Sequence, residues 1–309
     1  LFILIFLSIL IFFFFHKDDN KKSYNFFWLS KETSILINNW FMMYFLSVVL
    51  IGTVYPIFLD VISSQKISVG PPFYHKLMIP FLIPFLIMMA IGPKLKWIKS
   101  QLEDKIYLIF FLIISILLAF LLLKNFNQNI LINTILISSA FYLFFITLRD
   151  FFLKKYKNIS QNIAHFGFSL LILGILFNNL FASEIITNLK VGETFENSKT
   201  KIVFESVDQK KKQNYNAIIA NFSIINSNGE EEKLSPELRI YNQPVIATSE
   251  ADIRTTLMSD KFIVINLVQN QDFFNVRYQV KPFMLWIWLS VILISLGGII
   301  SFLKKNHEK

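Results

Sequence analysis

The sequence predicts a polytopic α-helical membrane protein of about seven spans, with a small all-β domain inserted before the last span. Three observations carry that prediction. Several apolar runs approach or exceed the roughly 20 residues a helix needs to cross a bilayer. The chain is 54% hydrophobic, with a mean hydropathy of +0.52. Basic residues collect in alternate loops, and one long polar stretch breaks the apolar series.

The spans run over about 1–15, 35–59, 77–92, 106–123, 129–147, 163–182 and 283–303. Residues 1–183 therefore hold the first six spans, 184–281 form the extramembrane domain, and 282–309 carry the last span and a basic tail. Orientation follows from Lys and Arg in the short loops. Fifteen of them lie in the segments around 16–34, 93–105, 148–162 and 304–309, against Lys66, Lys76 and Lys124 in the opposite loops. Seven spans put all four basic segments on one face, the matrix or cytoplasm. The polar domain then lies on the other side, in the intermembrane space or periplasm. This asymmetry accounts for most of the net charge of +9 without any nucleic acid.

Residues 184–281 have the alternation of a β-module. Phe274, Val276, Tyr278 and Val280 alternate with Asn275, Arg277 and Gln279. Asn228-Gly229 is a hairpin signal, because both residues accept positive φ. Six or seven short strands in this length predict a barrel or a sandwich. Trp286 and Trp288 follow Lys281-Pro282, where the chain returns to the bilayer, and suit interfacial anchoring.

Cysteine is absent. This excludes disulfides, thiol redox chemistry and a Cys-x-x-Cys-His haem attachment site in this chain. His165, in Gln161-Asn162-Ile163-Ala164-His165-Phe166-Gly167-Phe168, is the only histidine inside an apolar span. A charged side chain at mid-membrane costs about 2.5 kcal/mol or more. A neutral imidazole is cheaper but still needs partners for both ring nitrogens. A metal is one solution and an interhelical hydrogen bond is the other. Gln161, Asn162 and Ser169 lie near the same helix face and are candidate partners. Gly167 and Gly174, one heptad apart, leave room for a flat macrocycle or for a close helix.

Other residues carry weaker signals. Asn38 and Asn39 inside the second span suit interhelical hydrogen bonds, or the lining of a haem or quinol cavity. In Gly70-Pro71-Pro72-Phe73-Tyr74, Pro-Pro suggests an extended backbone. Pro72 and Phe73 can then contact a flat apolar ligand, with a tight return into span three as the alternative. His75 suits a solvated interfacial position. Pro80 and Pro84 should kink span three. Glu237, Arg239 and Tyr241 alternate on one strand face, where a Glu–Arg pair would brace the module or dock a partner. Lys210-Lys211-Lys212 reads as a solvated loop tip, and His16 and His307 lie in polar segments.

Several phrases together resemble a known family. They are Ser30-Lys31-Glu32, Leu36-Ile37-Asn38-Asn39, Gly52-Thr53-Val54-Tyr55-Pro56, Lys66-Ile67-Ser68-Val69-Gly70-Pro71-Pro72-Phe73-Tyr74, Ile91-Gly92-Pro93, Ala164-His165-Phe166-Gly167 and Pro236-Glu237-Leu238-Arg239-Ile240-Tyr241. In order and spacing they resemble the C-terminal half of CcmF, the membrane cytochrome c haem lyase of the bacterial and mitochondrial maturation pathway. The resemblance runs over nearly the whole chain.

The resemblance implies a function. Such proteins take haem from a haem chaperone and help attach it to the reduced cysteines of apocytochrome c. They also hold a b-type haem between two transmembrane histidines, and the Ala-His-x-Gly histidine, one of the two, maps onto His165. The family's tryptophan-rich loop, its flanking histidines and the first transmembrane ligand have no counterpart in this sequence; they lie upstream in full-length members. The resemblance thus implies the separately encoded C-terminal piece of a split lyase. Haem b would be shared with an N-terminal subunit carrying the tryptophan-rich loop, and no catalytic residue is expected in this chain. Further partners would be the haem chaperone, apocytochrome c with its thiol-reducing partner, and membrane lipid. Abundant Phe, Ile, Asn and Lys beside nine Gly suit an AT-rich genome, and so the mitochondrial inner membrane, or the bacterial one if the protein is not organellar. The alternative is a non-catalytic structural subunit of a respiratory or other membrane assembly.

Overall fold

The computed structural model describes residues 30–63, 67–97, 105–126, 130–153, 159–198, 200–226, 229–267 and 272–307, with isolated helical positions at Leu7, Leu10, Ile11 and Phe14. Six long helices are present among them: α1 (Lys31–Ser63), α2 (Pro71–Ile91), α3 (Lys105–Leu123), α4 (Ile130–Leu153), α5 (Ile159–Phe181) and α6 (Met284–His307). All six are long and apolar enough to cross a membrane. The span expected at 1–15 lies almost wholly outside the described residues.

The chain divides into two compact units. The first, Leu1–Met78 with Ile91–Lys105, contains α1 and the beginning of α2. Ser30 caps α1, its hydroxyl accepting from the Thr33 amide at 3.3 Å. The Lys31 amide donates to the Lys96 carbonyl at 3.2 Å. Two glycines allow close approach here. Gly92 lies against the Ser34 hydroxyl, and Gly52 faces the Tyr74 ring, so that a Cβ would fall 2.6 Å from the phenol oxygen. The Tyr44 hydroxyl donates to the Leu77 carbonyl at 2.9 Å.

The second unit, Ile79–Ala90 with Ile106–Lys309, holds the rest. Ala119, Leu123 and Ile137 join α3 to α4, with Leu176 and Leu180 of α5 packed against them. The α5–α6 seam is tighter. A Cβ on Gly167 would meet the Ser290 carbonyl, the Ile294 amide and Leu293 Cβ, each at 3.0 Å. One on Gly174 would lie 2.9 Å from Ile287, and one on Gly297 would lie 2.8 Å from Ala164 and the Ser160 carbonyl. The seam is thus close to backbone on backbone, which only small residues permit.

Between α5 and α6 come ten strands among the described residues, more than the six or seven expected. They are β1 (Ser183–Leu189), β2 (Thr194–Glu196), β3 (Thr200–Lys211), β4 (Tyr215–Asn226), β5 (Glu231–Leu234), β6 (Glu237–Asn242), β7 (Val245–Glu250), β8 (Asp252–Thr255), β9 (Ser259–Leu267) and β10 (Phe274–Pro282). All pairings are antiparallel, in one sheet of order β1-β10-β9-β8 and another of order β2-β3-β4-β6-β7, with β5 also on β4. Of the barrel and the sandwich, the structure is the sandwich. Ile202, Phe204, Phe222 and Ile224 meet Ile263, Ile265, Val276 and Tyr278 in its core. The alternation expected in β10 holds, since Phe274, Val276, Tyr278 and Val280 all face inward. A bulge between Phe204 and Ser206 shifts the inward parity of β3, so that Val207 follows Phe204 on the core side. Gly229 has φ +77 in the β4–β5 turn, as the hairpin signal requires; Asn228 lies outside the described residues.

Lys261 of β9 and Glu232 of β5 form an ion pair of 2.6 Å between the sheets, with side chains only 15% and 8% exposed. The buried Tyr278 hydroxyl is pushed up to about 12 by burial, and the Glu232 charge adds to the shift. At the module's root, the Glu184 carboxyl is held below the usual range by hydrogen bonds from Gln279 and Arg277.

The joint to α6 is bonded on several sides. Phe283 has φ +61, rare for a bulky residue. Its amide donates to the Met258 carbonyl at 2.8 Å, and its ring meets Phe177 of α5 at 5.4 Å. The Asn178 amide donates to the Pro282 carbonyl at 2.6 Å. The Trp286 indole donates to the Leu257 carbonyl at 2.9 Å. Trp288 is exposed.

Two predictions follow from this packing. Gly297→Val should destabilise the detergent-solubilised protein by about 1–3 kcal/mol, read as a lower thermal midpoint. Gly298→Val should leave that midpoint nearly unchanged, because no atom beyond its own stretch of helix backbone lies within 4 Å of its Cβ position. Lys261→Ala should cost about 3–5 kcal/mol in chemical unfolding of the β-module, because it strands a buried carboxylate. The double replacement Glu232→Leu with Lys261→Met should recover most of that loss.

Candidate functional site

Helix α5 distributes its side chains among three neighbours. Positions on one turn are about 100° apart. Ser160, Ala164, Gly167 and Gly174 fall on the arc against α6. Asn162, Phe166 and Ser169 fall on the arc against α4. The Ser169 hydroxyl shares a hydrogen bond of 3.1 Å with that of Thr147, and the Asn162 amide reaches the Asp150 carbonyl at 3.5 Å. The Phe166 ring lies between Phe144 and Phe151, at 5.7 and 5.9 Å. Phe168 points a third way and meets Phe85 of α2 edge-on at 5.9 Å.

His165 lies about 200° around the helix from Gly167, so the imidazole faces away from the seam. It is half-buried, on the arc between the α4 contacts and the Phe85–Phe168 pair. Of its expected partners, Ser169 and Asn162 direct their polar groups to α4. Of the two uses open to Gly167, the structure displays the close helix.

One polar cluster escaped the sequence reading. Helix α4 runs to Leu153, beyond the expected end at 147, and so carries Arg149 and Asp150 inside it. Asp150 is buried, 3.9 Å from Arg149, whose guanidinium stacks 3.6 Å over the Tyr107 ring of α3. The signal available was the apolar Phe151-Phe152-Leu153 that follows the charged pair.

The remaining candidates belong to the other compact unit. Asn38 is half-buried and Asn39 exposed on α1. Pro71 and Pro72 open α2 rather than forming an extended loop, a position that suits proline because the first amides of a helix have no partner. Pro72 is exposed and Phe73 half-buried, its ring edge-on to Tyr74 at 5.3 Å. Tyr74 ties this turn to α1 at Gly52. His75 is exposed. Helix α2 runs unbroken from Pro71 to Ile91 with Pro80 and Pro84 inside it.

In the β-module, Arg239 bonds Glu237 at 2.9 Å, reaches Glu250 at 3.9 Å and stands 5.1 Å over the Tyr215 ring. The Glu237 hydrogen bond holds the guanidinium above its ordinary range. The group braces β4, β6 and β7 across the face. Among the described residues no three His, Cys, Asp or Glu converge as a metal site. A single imidazole suits a haem iron, which brings its own equatorial nitrogens. Of the candidates on α5, His165 is the residue that could serve in that way.

Comparison with known proteins adds to this geometry. Residues 180–282 match the family described as the CcmF C-terminal beta-sandwich. The chain is 26% identical over 296 residues to the cytochrome c-type biogenesis protein CcmF of Pseudomonas fluorescens, covering 90% of this chain and 44% of that protein. It is 24% identical over 289 residues to CcmF of Escherichia coli, covering 91% and 45%. A solved structure of cytochrome c heme lyase CcmF superposes with a TM-score of 0.68 at 20% identity, over 88% of this chain and 46% of that one. The chain thus spans less than half the length of these relatives.

Proposed function

This chain belongs to the CcmF family, aligned with its C-terminal portion, and we propose that it acts as the C-terminal subunit of a split cytochrome c haem lyase. The observation that carries the reading is His165, a half-buried imidazole on a membrane helix, on the arc of that helix turned away from the glycine seam.

In this reading His165 gives one ring nitrogen to the iron of a b-type haem, and the other nitrogen donates to a protein acceptor. A histidine of the N-terminal subunit would hold the same iron together with His165. A b-type haem held there would supply one-electron chemistry for reducing the haem to be attached. Gly167 contributes indirectly, by letting α6 close on one side of α5 so that His165 is presented on the other. Phe85 and Phe168 offer apolar surface beside the ring and help to exclude water. Asn38, Asn39, Pro72 and Phe73 are assigned to the scaffold that receives the N-terminal subunit and its tryptophan-rich loop.

No residue of this chain is the nucleophile. The thioether bonds form at the thiols of apocytochrome c, kept reduced by their own partner, with haem delivered by a chaperone. The distribution of basic loops supports a β-module on the intermembrane-space side of a mitochondrial inner membrane, or in the periplasm of a bacterium.

Reduced-minus-oxidised absorption spectra of the purified complex test the ligand. His165→Ala should lower haem b occupancy by more than the ~10–100-fold that loss of an outer-shell partner costs, while the subunits still co-purify. A b-type signal unchanged by the substitution refutes the ligand assignment. A complete complex without haem favours the structural-subunit reading.

A further inference from the structure

We propose that the β8–β9 turn, from Thr256 to Ser259, sits in the lipid headgroup region as a second membrane contact of the β-module. Its position supports this. The apical carbonyls of Leu257 and Met258 accept hydrogen bonds from the Trp286 indole and the Phe283 amide, at 2.9 and 2.8 Å. Trp286 lies in the first turn of α6, and Phe283 immediately precedes that helix. The turn is therefore held at the level where α6 enters the bilayer.

Its chemistry points the same way. Leu257 is 67% exposed and Met258 63% exposed. Turns in water favour Gly, Asn, Asp, Ser or Pro at such positions. Here two large apolar side chains stand at the apex instead. Part of the backbone is also paired within the turn. The Thr256 amide donates to the Ser259 carbonyl at 3.0 Å, and the Thr256 hydroxyl donates to the same carbonyl at 2.7 Å. The Ser259 amide donates to the Thr256 hydroxyl at 3.0 Å. Together with the bonds from α6, these satisfy groups that would otherwise be costly to immerse. Arg254, exposed two residues before the turn, suits a lipid phosphate just above. The apolar surface continues along α6 through Trp288, which is 63% exposed. Lipid, which already surrounds α6, is thus the occupant that fits.

The absence of cysteine makes the test direct. Met258→Cys and, separately, Leu257→Cys are labelled with an environment-sensitive fluorophore. The complex, with whatever subunits co-purify, is reconstituted into phosphatidylcholine vesicles brominated on the acyl chains near the glycerol. Leu267→Cys, also exposed and apolar but at the far end of β9, is the reference. Blue-shifted emission that brominated lipid quenches at 257 and 258, with aqueous emission at 267, is the expected result. Quenching of the turn probes by aqueous iodide and not by bromine overturns the proposal. Shielding from both quenchers also overturns it, because a protein partner then covers the turn.

Discussion

Neighbouring strands stand about 4.8 Å apart, whereas packed helices ordinarily stand about 8–10 Å apart. The second unit of this protein has to reconcile the two spacings. β1 and β10 are hydrogen-bonded neighbours, with Ser183 opposite Val280. Two residues beyond, they become α5 and α6. The helices rooted on such a strand pair must start close together, and Gly167, Gly174 and Gly297 let them stay close. The bonds at Pro282, Phe283 and Trp286 then fix the angle at which strand becomes helix. The position of the module on the bilayer follows from this seam and this joint.

The seam also decides where His165 points. A helix that commits its glycine face to one neighbour turns the residue two positions earlier nearly the opposite way. α4 claims the adjacent arc through Asn162, Phe166 and Ser169. Only the sector toward α4 and the Phe85 side remains for the imidazole. The direction of the proposed ligand is thus a by-product of helix packing.

Much of this was legible in the sequence. Apolar length marks the membrane helices without any knowledge of their packing, and the inward residues of β10 were visible as a simple alternation. The strands outnumber the expected six or seven because some, such as Thr194–Glu196 and Asp252–Thr255, are too short for a period to register. The bulge at Phe204 hides the continuity of β3 in the same way, by reversing its parity midway. Pro71-Pro72 admitted two readings because proline suits both an extended segment and a helix start, and the structure displays the return into the helix. The span end at 147 was drawn too early, because Arg149 and Asp150 suggest a loop until a ring and a neighbouring helix cover them. The glycines of α5 admitted two uses, and the choice between them depends on α6, more than a hundred residues away.

The double rooting of the β-module limits its reach. β9 and β10 each have nine residues between the membrane end and the far rim. At about 3.3 Å per residue these two strands reach roughly 30 Å from the end that joins the helices. Held at both ends by one helix pair, the module has no tether on which to swing outward. It behaves as a fixed pedestal, and any protein it serves must come down to that height.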